Sequence, residues 1–174
     1  KIVFLLTLLL TLTLAGAALA NTEDRMKDMV QTYLDENGQD YVYDDYVFTL
    51  KLAIGSALEY ADVRIFIYDD MLSVIADAPV RVSEENFEKM AAFTTLANNE
   101  IFYGQFRVDR EYGYVSCRSC NLVEDVIPGE NELFYLFAMP QSYMEDYGDG
   151  NEYGLNLFYA DYGVDIDMVR DYYL

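Results

Sequence analysis

The sequence of 174 residues contains no histidine, no tryptophan and only two cysteines. Without histidine the chain lacks the commonest general base, so Ser–His and Cys–His catalytic pairs are excluded. Zinc is not expected either, because its protein sites are built mainly from Cys and His ligands. Ser56 lies beside a single glycine and lacks the flanking glycines of a nucleophile elbow. We therefore predict that the protein is not an enzyme and uses no metal or cofactor.

Positive charge is also scarce, with 11 Lys and Arg against 31 Asp and Glu and a formal net charge of -20. Binding to phosphate backbones depends on clustered Lys and Arg that displace counterions. Nucleic acids and anionic membrane surfaces are therefore not expected as partners. The charge is explained by solubility, and the alternative is attraction to a basic partner or to divalent cations.

The first 20 residues have the three parts of a secretory signal. Lys1 is followed by an uncharged apolar stretch and then by the small residues of 15–20, which end at Ala20. The apolar stretch is shorter than the roughly 20 residues that a membrane-spanning helix needs, and no later apolar run is long enough to span. The sequence predicts a signal peptide at 1–20 that is cleaved near Ala20, and one domain at 21–174. The mature protein is expected to be extracytoplasmic, without stable membrane insertion.

Hydrophobic periodicity predicts a mixture of helices and strands. Residues 23–34 have helical spacing, and residues 48–54 alternate as in a strand with one buried face. Residues 63–68 and 72–77 predict a hairpin, which Pro79 is expected to interrupt.

A second helix is predicted after this hairpin. Ser83 is its expected cap, and Val82 is expected to pack on Phe87. Residues 102–108 and 114–119 predict a second hairpin. A further helix is predicted from Pro128, with Pro140 expected to kink or restart it, and short helices are predicted in the tail at 153–174.

Three segments of the chain resemble the YbjN-like family, a group of candidate bacterial sensory transduction regulators with the fold of type III secretion chaperones. They are residues 78–99, the strand pair at 104–109 and 114–118, and Tyr147-Gly148-Asp149-Gly150. The similarity covers residues 33–162. It implies an α+β domain of the order α-β-β-β-α-β-β-α, in which helices pack on one antiparallel sheet of about five strands.

The resemblance also implies a function in binding proteins or peptides without catalysis, and the chaperone relatives are often dimeric. A homodimer is therefore a candidate assembly. The family is associated mainly with the cytoplasm, whereas a predicted signal peptide precedes this chain. This difference weakens any expectation of a regulatory or secretion-chaperone role.

Cys117 and Cys120 have the spacing of a redox motif, and two cysteines can pair outside the cytoplasm. A redox motif requires its first cysteine at a helix start, whereas Cys117 ends a predicted strand. Residues three apart in a strand lie about 10 Å apart on opposite faces, beyond the reach of a disulfide. A turn at Cys117 or Arg118 would allow the bond. A Cys117–Cys120 disulfide and two free thiols both remain candidates.

The acidic, glycine-containing segment at 146–154 is a candidate calcium site. With Asp149 in the first position of an EF-hand loop, Tyr153 occupies the fifth position and Ala160 the twelfth, where a bidentate Glu is required. The EF-hand motif is therefore absent, and an acidic break in a helix is the ordinary explanation.

We expect a secreted, non-enzymatic module that binds a protein or peptide through the sheet face that helices leave uncovered, or through the tyrosine-rich flanks around 41–46. The alternative is an extracellular enzyme that uses Asp/Glu pairs or a Cys117/Cys120 redox couple. A glycosidase needs such a carboxylate pair, but its sugar cleft usually contains Trp, and this sequence has none. A further alternative is a calcium-dependent adhesion protein.

Overall fold

The structure is a computed structural model that describes residues 22–54, 58–68, 70–123 and 128–148. The predicted signal peptide and the predicted tail helices lie outside these residues. The helices are α1 (Thr22–Glu36), α2 (Phe87–Glu100) and α3 (Glu130–Gly148). The strands are β1 (Tyr41–Asp44), β2 (Val47–Ala53), β3 (Tyr60–Tyr68), β4 (Met71–Arg81), β5 (Gln105–Val108) and β6 (Tyr114–Leu122).

All six strands form one antiparallel sheet in the order β1-β2-β3-β4-β6-β5. The first four strands follow one another as a meander. After α2, the chain returns as a hairpin whose second strand pairs with β4. The predicted α+β class is confirmed, with six strands in the described chain rather than about five.

No helix among the described residues is long and apolar enough to span a bilayer.

The additional strand is β1, which forms a tight hairpin with β2. Asp44 pairs with Val47, so Asp45 and Tyr46 are the two turn residues, with φ angles of 44° and 75°. Two positive φ angles are typical of a type I′ turn, which favours Asn-Gly or Asp-Gly. Because the second residue here is Tyr, the sequence lacks the usual signal for this hairpin.

The hydrophobic core lies between the three helices and one face of the sheet. The helices contribute their apolar stripes, as expected for amphipathic helices on a sheet. The buried helical residues are Met26, Val30, Leu34, Met90, Phe93, Thr94, Ala97, Leu133, Leu136, Phe137, Pro140, Met144 and Tyr147. Phe106 of β5 packs edge-to-face against both Phe93 and Tyr147, and these contacts join two helices to the end of the sheet.

Two expectations about strand ends are wrong. Pro79 does not interrupt the hairpin, since β4 continues to Arg81 and its pairing with β6 shifts register between Asp77 and Arg81. Such an irregularity tolerates a residue that has no N–H. Phe102 does not belong to the next strand, because β5 begins at Gln105 and Phe102 is 94% exposed.

The predicted helix starts and breaks also differ in detail. A 3-10 turn at Glu84–Asn86 precedes α2, and the Ser83 hydroxyl makes no cap hydrogen bond to it. Instead, Asn86 Nδ2 donates to Ser83 Oγ at 3.2 Å. Pro140 does not restart its helix, because α3 continues through it to Gly148.

The proline within α3 is accommodated by a contact with the sheet. Pro140 has no N–H to donate to the carbonyl of Leu136, four residues earlier. Ser119 Oγ, from buried β6, donates to this carbonyl oxygen at 2.8 Å. A strand side chain therefore supplies the hydrogen bond that the helix cannot make.

Candidate functional site

The described helices cover one face of the sheet and leave the other uncovered. Along β2, Phe48 and Leu50 face the helices and are buried, whereas Thr49 between them is exposed. Along β3, Ile65 is buried and the adjacent Arg64 is exposed. We call the uncovered side the open face. The expected uncovered sheet face is therefore present within the described part of the chain.

The register of the strands arranges the open face in rows that run across the sheet. Neighbouring rows are two residues, or about 7 Å, apart along each strand. Four successive rows are Arg107–Ser116–Asp77–Asp62, Arg118–Ile75–Arg64, Cys120–Ser73–Phe66 and Leu122–Met71–Tyr68. Charged residues dominate the first two rows and apolar residues the last two. The open face therefore has an arginine end and an apolar end.

A cleft of about 860 Å³ lies at the arginine end. Arg64 and Arg81 line it from β3 and β4, and Arg107 and Arg110 line it from β5 and the following turn. Asp62, Asp77 and Asp109 are the acidic residues of its lining. Four of the 11 basic side chains of the sequence therefore meet in one cleft of an acidic protein.

The turn between β5 and β6 is held against the end of β4. Val82 N–H donates to the Gly113 carbonyl, and Gly113 N–H donates to the Asp109 carbonyl, both at 2.8 Å. Gly113 has a φ of 70°, and a Cβ at this position would collide with the Val82 carbonyl oxygen. Only glycine allows this approach. It holds the turn that contains Arg110 against the end of β4, so that Arg110 and Arg81 line the same cleft.

Of the four cleft arginines, only Arg64 pairs with a carboxylate of the described residues. Arg64 donates to Asp77 Oδ2 through Nε at 2.9 Å and through Nη2 at 2.6 Å. Lys51 lies 3.6 Å from Asp62. These are the two ion pairs between described residues, so Arg81, Arg107 and Arg110 have no carboxylate partner in the described structure.

Two of the three unpaired arginines, Arg81 and Arg110, are held by aromatic contacts. The Arg81 guanidinium lies 4.3 Å from the centre of the Tyr114 ring, and its Nη2 donates to Tyr114 Oη. Arg110 lies 5.2 Å from the Phe87 ring. Stacking of this kind orients a guanidinium and leaves donors available for a ligand.

Two aspartates stand directly opposite each other across β3 and β4. Burial raises the pKa of the Asp77 carboxyl, the Arg64 guanidinium partly offsets this shift, and the neighbouring Asp62 adds to it. A carboxyl with a raised pKa in a cleft is also a feature of hydrolytic sites. The pair is the one arrangement among the described residues that favours the enzymatic alternative.

The apolar end presents aromatic and aliphatic surface to solvent. The rings of Phe66 and Tyr68 stack with centroids 6.0 Å apart and an interplanar angle of 5°. Tyr68 is 45% exposed and Leu122, at the end of β6, is 67% exposed. Adjoining exposed apolar side chains of this kind are typical of contact surfaces.

Comparison with solved structures identifies the fold. The chain is similar to YbjN from E. coli, whose crystal structure is described as that of a candidate transcription regulator. The TM-score is 0.54 and the sequence identity 14%, over 68% of this chain and 84% of that chain. The fold is YbjN-like. At this identity the likeness concerns the fold alone, and the resemblance inferred from the sequence is confirmed at that level.

No protein-family model and no curated protein matches the sequence. Site residues therefore cannot be transferred from a relative, and the arginine and apolar ends of this YbjN-like sheet are read from their own geometry.

The two cysteines of the YbjN-like sheet are free. β6 extends through both, so Cys117 faces the core, Cys120 lies exposed on the open face, and the candidate disulfide is not formed in this structure. Burial raises the pKa of the Cys117 thiol to about 12. A buried neutral thiol is a poor nucleophile, which argues against the Cys117/Cys120 redox couple.

One edge of the YbjN-like sheet is closed by a helix side chain. Phe106 N–H donates to Asn98 Oδ1 at 2.6 Å, and Asn98 Nδ2 donates to the Phe106 carbonyl at 3.0 Å. The amide of Asn98 thus occupies the backbone groups that a further strand would use at β5. Local sequence does not indicate this function, because the partner of Asn98 belongs to the strand that follows the helix.

The tyrosine-rich flank is mainly structural. The rings of Tyr41 and Tyr43 lie 5.4 Å and 4.5 Å from that of Phe48, and Tyr41 Oη donates to Asp35. Of the three tyrosines in this flank, only Tyr46, at the turn, is largely exposed. The open face is therefore the better candidate site.

The candidate calcium segment is described only as far as Gly148, and the rest of it lies outside the described residues. Within the described ranges, no group of three or more Asp, Glu, Cys or His side chains could hold a metal ion. The calcium-dependent adhesion alternative stays a prediction, which a calcium-dependent rise in melting temperature would support.

Proposed function

We propose that this chain is a secreted, non-enzymatic member of the YbjN-like family that binds a protein or peptide on the open face. The observation that supports the proposal is the combination, on one uncovered face, of unpaired arginines with exposed aromatic side chains. Arg81 and Arg107 stand at one end, and Tyr68 stands at the other. Arg and Tyr are enriched among the residues that dominate binding energy at protein interfaces.

The proposal keeps the family's binding role and leaves aside its regulatory one. The described YbjN relative is a candidate transcription regulator. A chain with a net charge of -20 repels DNA, and its basic side chains are too few to offset that repulsion. A protein segment is therefore the partner class that we favour.

Site-specific photo-crosslinking tests this function. A photoreactive phenylalanine analogue replaces Tyr68 on the open face or, as the matched control, Tyr135 on α3, which is 52% exposed. In cells of the source organism we expect a discrete crosslinked protein from position 68 and none from position 135. Equal patterns from both positions, or no crosslinks at 68, would contradict binding at the open face.

A homodimer remains part of the proposal as a candidate assembly. Because β5 is closed at Phe106, self-association through the sheet edges would have to use β1, the other edge strand. Sedimentation of the purified mature chain across concentrations measures this directly. A crosslink between two copies at position 68 would place the dimer contact on the open face instead.

The second candidate is an extracellular hydrolase that uses Asp62 and Asp77. It is supported by their placement on opposite strands of the cleft and by the raised pKa of Asp77. The pairing of Asp77 with Arg64 opposes it, since a carboxylate held by two guanidinium donors is a poor proton donor. Turnover of glycoside substrates that is lost in Asp77→Asn and Asp62→Asn would favour this candidate over the binding module.

A further inference from the structure

We propose that the segment bound by the open face is an extended acidic peptide with an apolar anchor at one end, supplied by a separate protein. This inference rests on the proposed function and specifies the chemistry of the partner. Its carboxylates lie over Arg81, Arg107 and Arg110. Its apolar side chain lies on the apolar end, among Phe66, Tyr68 and Leu122.

The arginine end favours carboxylate ligands because most of its arginines have no carboxylate partner among the described residues. The sequence contains 31 acidic residues, yet three of the four cleft arginines have no carboxylate partner among the described residues. An exposed guanidinium presents a planar fork of donors that matches a carboxylate in two hydrogen bonds. Ser116, between Arg107 and Asp77, adds a hydroxyl in the same row.

The apolar end determines where the anchor of the peptide binds. Tyr68 and Leu122 occupy the last row, on either side of Met71. Asp77 and Met71 are six residues apart on β4, which corresponds to about 20 Å. An extended peptide covers this distance in about six residues. The proposed ligand therefore has its carboxylates and its apolar anchor about six residues apart.

The charge distribution favours a short peptide over a nucleic acid. Beyond the open face the described chain is mainly acidic, as in α1, whose first turn contains Glu23 and Asp24. A long polyanion would extend into this repulsive surface, whereas a short acidic segment can remain above the arginines. The last row of the apolar end, Leu122–Met71–Tyr68, also contains no cationic side chain that could bind a phosphate of a nucleic acid.

Fluorescence anisotropy with defined probes tests the inference. The main probe is a fluorescein-labelled ten-residue peptide with three glutamates at one end and Leu-Tyr at the other, spaced by Gly and Ser. Matched probes have glutamine in place of glutamate, or serine in place of Leu-Tyr. A ten-nucleotide single-stranded DNA represents the other class of polyanion.

Two variants separate the two ends of the face. The double variant Arg107→Gln/Arg110→Gln is expected to weaken binding of the main probe at least about tenfold. The control variant Arg25→Gln/Lys89→Gln removes the same charge away from the open face. It is expected to change binding less than about twofold. Leu122→Ser is expected to weaken the main probe and to leave the serine-substituted probe unchanged. Binding that weakens as salt rises from about 20 mM to about 150 mM would agree with ion pairing.

Three results would overturn the inference. They are equal binding of the glutamate and glutamine probes, equal binding by the Arg107→Gln/Arg110→Gln variant and the wild type, and DNA binding as tight as that of the peptide. Probe-independent self-association that Leu122→Ser abolishes would also overturn it, because a second copy would then occupy the face. If crosslinking at position 68 captures a protein while the acidic probe fails, the binding function stands and only the ligand chemistry is wrong.

Discussion

The hydrogen bond from Ser119 to the Leu136 carbonyl makes a sharp prediction about how α3 is attached to the sheet. Both groups are buried, and Pro140 cannot provide the N–H that would otherwise occupy this carbonyl. In Ser119→Ala the Leu136 carbonyl loses its described partner at a position closed to water. An unsatisfied buried polar group of this kind costs about 1–3 kcal/mol, so we expect a loss of that size in the free energy of unfolding.

The double variant with Pro140→Ala tests the physical reason. Alanine at position 140 restores a helical N–H that can donate to the Leu136 carbonyl, so Ser119→Ala should then cost only about 0.5–1 kcal/mol. The expected coupling energy between positions 119 and 140 is the difference of these costs, about 0.5–2 kcal/mol. Any effect of removing the proline ring from its buried position cancels in the cycle.

Urea denaturation of the four proteins, followed by far-UV circular dichroism and by tyrosine fluorescence, measures the cycle. Ser116→Ala serves as the control, because Ser116 lies on the same strand but faces away from α3, and its change should stay within about 0.5 kcal/mol. An equal cost of Ser119→Ala in the wild-type and Pro140→Ala backgrounds would refute the proposed compensation.

Three further outcomes are expected. Tyr46→Gly should stabilise the fold by about 0.5 kcal/mol, since it relieves a positive φ at a type I′ turn, and a lower urea midpoint would contradict this. Asn98→Ala should lower the free energy of unfolding by about 1–3 kcal/mol, because it leaves the N–H and the carbonyl of Phe106 without their hydrogen-bond partner. An unchanged urea midpoint would show that these two groups find other partners. In the folded protein at pH 8, a maleimide should label Cys120 and spare Cys117, whose buried thiol has a pKa of about 12 and stays neutral. Labelling of both, measured by mass spectrometry of Cys→Ser variants, would indicate that β6 opens.

The elements that were predicted well have strong local periodicity. The alternation at 63–68 and at 72–77 is typical of strands with one buried face, and both lie in observed strands. The helix at 23–34 has an apolar stripe that packs on the sheet. In these segments the burial of one face and the local spacing agree, so the sequence suffices.

The elements that were missed depend on contacts between distant residues. β1 is short, and its turn contains Tyr46 where a glycine would have been the signal. β4 passes through Pro79 because its pairing with β6 shifts register there. α3 passes through Pro140 because Ser119, 21 positions earlier, completes its hydrogen bonding. None of these compensations is visible from local sequence.

The candidate site shows the same division. An uncovered sheet face that binds a protein or peptide was expected from the order of helices and strands, but the net charge was explained by solubility, with attraction to a basic partner or to divalent cations as the alternative. The strand register and the contact of Gly113 with Val82 bring together arginines that are up to 46 positions apart in the chain, from Arg64 to Arg110. Net charge describes the whole molecule, whereas a bound partner interacts with the charge of the surface that it contacts, here the arginine end.

The sequence by itself determined the α+β class, the main helices and strands, the acidic character and the lack of histidine-based chemistry, because these follow from composition and local periodicity. The tertiary structure alone decided that Cys117 and Cys120 face opposite sides of one strand, that α3 continues through its proline, and that the arginines gather in one cleft. Those outcomes depend on which strands pair and in which register, and a shift of one residue would move every side chain of a strand to the other face.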